Sequence, residues 1–410
     1  MTIDRNHCEM LDAHDPLAAI RERFVIPDGL TYLDGNSLGC LPRAVVARLT
    51  AAVEQEWGQG LIRSWNDAGW YRAPQRVGNM IGRLIGAAPD TVIVADSTSV
   101  NLFKVLSGAL ALRPDRKVIL GVTGDFPTNT YIAGSVAGSR NAVLKSVDAD
   151  ALVDAIDDHV AVVSLTQVSY RSGRVFDMNV ITKRAHEKGA LIVWDLSHSA
   201  GVLDLQIGDS GADFAVGCGY KYLNGGPGAP AYVYLHPRHH ATFRHPLNGW
   251  LGHQDPFAFA EDFRPAMGID GVLAGTPPVL SLVALEAALG AFEGVEMRLV
   301  RAKAQALTDL FVALVDQDLG AFGFSLASPR DGAVRGAQVS LAHPESYAIC
   351  QALIGQGVVG DFRAPDILRL GFSPLTTRFV DVFRAAEVLR QVMAERLWDT
   401  PTFRQRKAVT

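Results

Sequence analysis

Cysteine is scarce in this chain. Cys8, Cys40, Cys218 and Cys350 are scattered over 410 residues, and none stands in a C-x-x-C pair. That spacing argues against a disulfide framework or a zinc site and predicts a reducing compartment, the cytoplasm. Long apolar runs are also missing. The most apolar stretch, "GVLAGTPPVLSLVALEAALGAF", is interrupted by Pro277, Pro278 and Glu286, so no membrane span is expected. The opening "MTIDRNHCEMLDAHD" is polar and has no apolar centre, so no secretory leader is expected. Charge of one sign is nowhere concentrated. The formal net charge is −5, acids and bases are mixed, and no basic block could follow a nucleic-acid backbone. Finally, no G-x-G-x-x-G opens a helix, which counts against a nicotinamide-binding dehydrogenase.

What remains is an ordinary globular composition, 48% hydrophobic and 20% charged. The length suits about two or three domains of roughly 150 residues. From about Asp90 to Tyr234 short apolar strands alternate with helices. "TVIVAD", "KVILGV", "AVVSLTQV", "ALIVWDL", "DFAVGCGY" and "PAYVYL" read as strands, and "SVNLFKVLSGALAL" and "VITKRAHEKG" as helices. This alternation predicts an α/β fold, a mostly parallel sheet with helices on both faces. In such sheets ligands bind beyond the carboxyl ends of the strands. After Pro278 the texture changes to long helices and three shorter elements, which predicts a smaller α+β domain. The expected division is an amino-terminal segment over 1–45 packing with the small domain, a large domain over 46–282 and a small domain over 283–410.

Two residues stand where ligands of such a sheet bind. Asp195 ends the apolar strand of "ALIVWDLSHSAG", with His198 three residues on. Lys221 follows the next strand and sits between Tyr220 and Tyr222, ahead of a glycine-rich turn. Taken singly, the aspartate reads equally as a cap and the lysine as a solvated strand end. Together they suit an aldehyde cofactor such as pyridoxal phosphate. A lysine amine forms the Schiff base, and a carboxylate keeps the pyridine nitrogen protonated. Ser97, Thr98 and Ser99, at the start of a helix, offer hydroxyls and free N–H groups for a phosphate, or a plain cap. Tyr220 and Thr276 could add hydroxyls. Phe126, after the strand "KVILGV", could stack on a ring or belong to the core.

In order along the chain, "YLDGNSLG", "WGQGLIRSW", "FPTN", "WDLSHSAG", "YKYLNGGPG", "GWLGH", "GTPP" and "LRLGFSPL" make the chain resemble the kynureninase family, pyridoxal-phosphate hydrolases of the aspartate aminotransferase (type I) fold. The resemblance runs nearly end to end. It implies cleavage of the Cβ–Cγ bond of L-kynurenine, and of its 3-hydroxy form, to anthranilate (or 3-hydroxyanthranilate) and L-alanine, in tryptophan catabolism or pyridine-nucleotide biosynthesis. It also implies a homodimer with sites at the subunit interface. Lys221 matches the Schiff-base lysine and proton shuttle, Asp195 the pyridinium partner, and His198 a group near the ring. Thr98, Ser99 and Tyr220 match the phosphate cradle. Phe126 matches the stacking aromatic and Thr166 another cofactor contact. Trp250 and Thr276 match contacts given by the partner subunit. Arg369 matches the arginine that grips the substrate α-carboxylate, and Ser37 and Trp65 line the aryl end. Tyr220 is either an acid or base in catalysis or only a phosphate hydroxyl. One departure stands out. The family loop commonly reads Phe-Pro-Ser/Thr-Asp, and Asn129 here holds the Asp place, keeping the shape and losing the charge. A cysteine desulfurase on the same fold would need a nucleophilic cysteine in a loop, whereas Cys350 lies in a helix-like run. A non-catalytic binding protein would have no use for Lys221, Asp195 and Arg369 together.

Overall fold

The structure is a computed structural model that describes residues 3–407. Its centre is a seven-stranded sheet. In chain order the strands are Val92–Val94 (β1), Val118–Val122 (β2), Val143–Val147 (β3), Val160–Thr166 (β4), Leu191–Asp195 (β5), Phe214–Cys218 (β6) and Ala231–Leu235 (β7). Their spatial order is β1-β7-β6-β5-β4-β2-β3. The run from β6 to β3 is parallel, and β7 lies antiparallel between β6 and β1. β4 to β7 are buried along their whole length, which is why they read as unbroken apolar runs. β3 was not expected. Its sequence, Val-Leu-Lys-Ser-Val, is half polar because it is an edge strand with exposed positions.

Helices Thr98–Ala111 (α1), Pro127–Ser139 (α2) and Met178–Glu187 (α3) cover the sheet. α3 stops where Gly189 takes a positive φ of 72°. The two faces form separate apolar clusters. Trp194, Ile192 and Leu165 point to one, and Val193, Val216 and Val162 to the other.

The carboxyl-terminal part comprises helices Val279–Leu289 (α4), Met297–Asp318 (α5), Ser346–Gly355 (α6) and Phe379–Ala394 (α7). It adds a four-stranded antiparallel sheet of Ser325–Leu326 (β8), Gln338–Ala342 (β9), Asp361–Arg363 (β10) and Ile367–Gly371 (β11), in the order β8-β9-β11-β10. The expected division at 282/283 cuts through α4, whose Leu282, Leu285 and Leu289 belong to the large core. The two cores meet along α5. Its Val300 and Ala304 join the first, and Leu307, Phe311 and Leu314 the second. The amino-terminal segment touches both. Thr31–Tyr32 pairs in parallel with Val358–Val359, Leu33 packs in the small core, and Leu17 and Phe24 pack in the large one.

Candidate active site

β5 and β6 are neighbours, with Asp195 in register with Val216. Three residues past the end of β6 the chain reaches Lys221. Asp195 and Lys221 therefore meet at the carboxyl edge of the sheet. A cavity of about 300 Å³ opens there, lined by Thr98, Ser99, Phe126, Asn129, Thr166, Asp195, His198, Tyr220 and Lys221 among others. The turn after Lys221 needs its special residues. Asn224, Gly226 and Gly228 all have positive φ. A β-carbon at Gly39 would overlap the Lys221 carbonyl and the Asn224 side chain, and the Gly39 N–H donates to the Tyr220 carbonyl at 2.9 Å. The segment "LDGNSLG" is thus held against the backbone of the lysine loop.

Lys221 Nζ lies 2.8 Å from His198 Nε2. Gln338, on β9, decides which histidine nitrogen carries the proton. Its amide Nε2 donates to the Tyr170 carbonyl at 2.9 Å, so its Oε1 is the atom facing His198 Nδ1 at 3.2 Å. Nδ1–H donates to Gln338, and Nε2 is left as an acceptor for the lysine. Burial, then the Lys221 charge, pushes His198 well below its ordinary value, so the ring is neutral. Burial likewise lowers the Lys221 ammonium. Lys221 Nζ also lies 5.8 Å from the Phe126 ring centre and 5.9 Å from that of Tyr220. Burial, then Cys218, raises the Tyr220 phenol, which stays protonated at neutral pH.

Asp195 is fully engaged. Its Oδ1 accepts from Ser197 N at 2.9 Å and Ser197 Oγ at 2.6 Å, and its Oδ2 from Asn129 Nδ2 at 3.2 Å. The aspartate caps the turn and faces the cavity at once. Thr166 donates from Oγ1 to the Val168 carbonyl at 3.0 Å. At the start of α1 the Ser97 hydroxyl accepts from Val100 N–H, while the first N–H groups of a helix have no acceptor inside it. Fully buried Lys104 donates to Asp96 and to the Val272 carbonyl, which ties this helix start to the loop that carries Thr276.

The remaining expected residues lie outside this cavity. Arg369, on β11, is buried, and its fork is taken. Nε donates to Asp361 Oδ1 at 2.8 Å, Nη2 to Asp361 Oδ2, and Nη1 to the Tyr170 carbonyl at 2.6 Å. Ser37 Oγ bridges the same group, donating to Asp361 at 2.7 Å and accepting from Arg369 at 3.1 Å and Arg363 at 3.2 Å. The expected grip on a substrate carboxylate by the whole fork is thus occupied by Asp361. Tyr170 connects the two regions. Its carbonyl meets Arg369, and its ring meets Phe126 edge-on at 5.3 Å. Trp65 packs edge-on against Trp70, and Trp250 against Phe257. Trp250 and Thr276 are exposed and do not reach the cavity of their own chain.

Sequence reading missed Asp125, Gln338, Arg363 and Asp361. Nothing local marks the last three, which lie far along the chain from Lys221. Asp125 did have a signal, since it precedes the aromatic of "FPTN". It is buried, accepts from Asn129 Nδ2 at 3.3 Å and Thr166 N at 3.2 Å, and places a carboxylate beside the position where Asn129 lacks one. Among the described residues no cluster of His, Cys, Asp and Glu could hold a metal, and no helix is long and apolar enough to cross a membrane. All four cysteines are free.

Among solved structures, the chain is similar to the apo cysteine desulfurase from Thermococcus onnurineus NA1, with a TM-score of 0.79 and 16% identity over 92% of this chain and 98% of that one. It is also similar to a C-DES variant with glycine covalently linked to its PLP cofactor, with a TM-score of 0.77 and 16% identity over 95% and 99%. At such identity the likeness is one of fold. Sequence goes further. Residues 300–389 match the kynureninase C-terminal domain. The kynureninase of Pseudomonas fluorescens is 46% identical over 413 aligned positions, 99% of either chain. With both the sheet edge that carries Lys221 and the domain that carries Arg369 inside that full-length match, the chain belongs to the kynureninase family.

Proposed function

We propose that this protein hydrolyses L-kynurenine at the Cβ–Cγ bond, releasing anthranilate and L-alanine, with pyridoxal 5'-phosphate carried on Lys221. The observation that supports this most is the meeting of Lys221, Asp195 and the α1 start around one cavity. The cavity suits the group. Thr98, Ser99 and Tyr220, with their hydroxyls, and Asp195, with its carboxylate, line the cavity, and buried Asn129 Oδ1 is an acceptor without a protein donor. When bound, pyridoxal phosphate supplies an electron sink for charge leaving the substrate Cα.

The chain's own residues do the rest. Lys221, with its amine biased to the neutral form by burial, takes and returns the Cα proton. Neutral His198 accepts from Nζ and holds the amine in place. Asp195 would hold the pyridine nitrogen in its protonated form, and Phe126 and Thr166 would hold the ring. Tyr220 acts as a hydroxyl donor, since its phenol is held protonated, which favours the phosphate role over that of a base. The substrate carboxylate docks at Arg369. Because Asp361 holds the Nε and Nη2 side and the Tyr170 carbonyl holds Nη1, the incoming anion displaces one of these partners, and partly exposed Arg363, 2.7 Å from Asp361, stands beside them to share it. Ser37 and Trp65 line the aryl end, where 3-hydroxykynurenine is also accepted.

The working unit is a cytoplasmic homodimer, in which Trp250 and Thr276 complete the partner's phosphate site. An exposed aromatic face supports this. Phe257 and Phe259, 59% and 80% exposed, continue from Trp250 and present more apolar surface than a free chain needs. The direct test mixes purified protein, pyridoxal phosphate and L-kynurenine. Equimolar anthranilate and alanine are expected, and no anthranilate would refute the reading.

A further inference from the structure

Asn129 stands at the first turn of α2 with a single NH2 group, and two buried carboxylates share it. Asp195 Oδ2 accepts from it at 3.2 Å and Asp125 Oδ2 at 3.3 Å. An amide nitrogen has two hydrogens, so each carboxylate receives one. Asp125 is fixed on its other sides by Phe126 N–H at 2.7 Å and Thr166 N–H at 3.2 Å. It does not line the cavity, and so does not reach a ligand itself.

We propose that Asp125 is a positioning residue for the cofactor's pyridine nitrogen: through the Asn129 amide it orients Asp195 and adds a second negative charge behind it. This rests on the reading that pyridoxal phosphate sits over Asp195. Asp125 acts in two ways. Without the Asp125 acceptor, only Asp195 itself holds the Asn129 amide nitrogen toward it, and a flipped amide would set oxygen against oxygen. Secondly, a carboxylate behind Asp195 strengthens the negative potential at a nitrogen that must keep its proton. The titratable groups around Asp125 are Asp195 at the end of β5 and, across the cavity, His198, Tyr220 and Lys221. The end of β4 offers only the Thr166 N–H. Burial, and then Asp195, raises Asp125 to about 7, so the second charge is present above neutrality and is lost as the pH falls through 7. The carboxylate stands four residues before Asn129, and Asn129 is its matched donor.

This makes the two positions interdependent, and a simple cap would not. Asp125→Asn in the parent removes a needed charge. In Asn129→Asp, however, three carboxylates crowd together, and the same Asp125→Asn change removes an excess one. Holoenzyme of the parent, D125N, N129D, the double variant and N129A would be compared. Three readouts apply: the pH midpoint of the cofactor's visible absorption, the dissociation constant for pyridoxal phosphate, and kcat against KM. D125N is expected to move the midpoint by about one pH unit, a roughly tenfold change in proton affinity, with kcat falling more than KM changes. N129A leaves the Phe126 and Thr166 bonds intact and is expected to reproduce that shift. In the N129D background, D125N should tighten cofactor binding. The proposal is overturned if D125N and N129A both keep the parent's midpoint, or if D125N weakens binding equally in both backgrounds, as loss of a cap would. A parent that takes up no pyridoxal phosphate overturns this and the functional reading together; anthranilate formation with unshifted variants overturns this alone.

Discussion

His198 accepts a hydrogen bond from the Lys221 amine, and the two residues come from loops that follow adjacent parallel strands. Neither charge is comfortable there. Burial lowers both groups, and the Lys221 charge lowers His198 further. The consequence is a lysine that is nucleophilic at a pH where surface lysines are charged. Borohydride treatment of the holoprotein should therefore fix the cofactor on Lys221, as seen by peptide mass mapping. Attachment at another lysine would remove the assignment.

Asp195→Asn keeps the shape and the Asn129 contact region but removes the carboxylate. Turnover is expected to fall by about 100-fold or more, the scale of a lost proton-transfer or electrostatic group, with the cofactor still bound. Steady-state kinetics alongside the visible spectrum checks this. A variant turning over at the parent's rate would contradict the role.

Arg369 and Asp361 form a buried pair, so Arg369→Ala carries two penalties. Asp361 would be left with Arg363 and Ser37 alone, which should cost up to about 3 kcal/mol of stability, the usual size for breaking a buried pair, and KM for kynurenine should rise. Arg363→Ala should raise KM with a smaller drop in melting temperature, because that side chain is 35% exposed where Arg369 is buried. If neither change affects KM, the substrate carboxylate is held elsewhere.

Asp213 is a stability device remote from the cavity. It accepts from His186 Nε2 at 2.8 Å, His239 Nε2 at 2.7 Å and Ile192 N–H at 3.0 Å. Burial opposes its charge, but these bonds win and hold the carboxyl well below its usual range. A depressed carboxylate contributes stability above its unfolded value of about 4, and that contribution is lost as pH falls below it. Asp213→Asn should therefore lower the melting temperature at pH 7, and the gap to the parent should narrow in acid. A gap independent of pH would show that shape, not charge, matters at this position.

A Lys221→Ala subunit and a subunit altered at both Trp250 and Thr276 are each expected to be inactive alone. If these two residues serve the neighbouring site, mixed and re-associated subunits should regain activity, with at most one working site per hybrid dimer. Light scattering must show exchange. Proven exchange without recovery would return Trp250 and Thr276 to their own subunit.

Much of this protein was already present in the order of its residues. Strands such as "ALIVWDL" and "DFAVGCGY" are buried on both faces, so apolar runs alone mark them. Their ends then mark Asp195 and Lys221, because a polar group directly after such a run has only the sheet edge to occupy. β3 escaped notice because an edge strand need not be apolar, and α2 because it starts at Pro127 with small polar residues rather than an amphipathic stripe. The pairings across the chain came only with the tertiary structure. Gln338 sets the His198 proton from a different sheet, Asp361 occupies the fork of Arg369, and Asp125 supplies a charge that Asn129 by itself does not carry. Hydrogen-bond partners far apart in sequence leave no periodic trace. Burial and desolvation, which set the charges of Lys221, His198 and Asp125, exist only once the chain has closed around them.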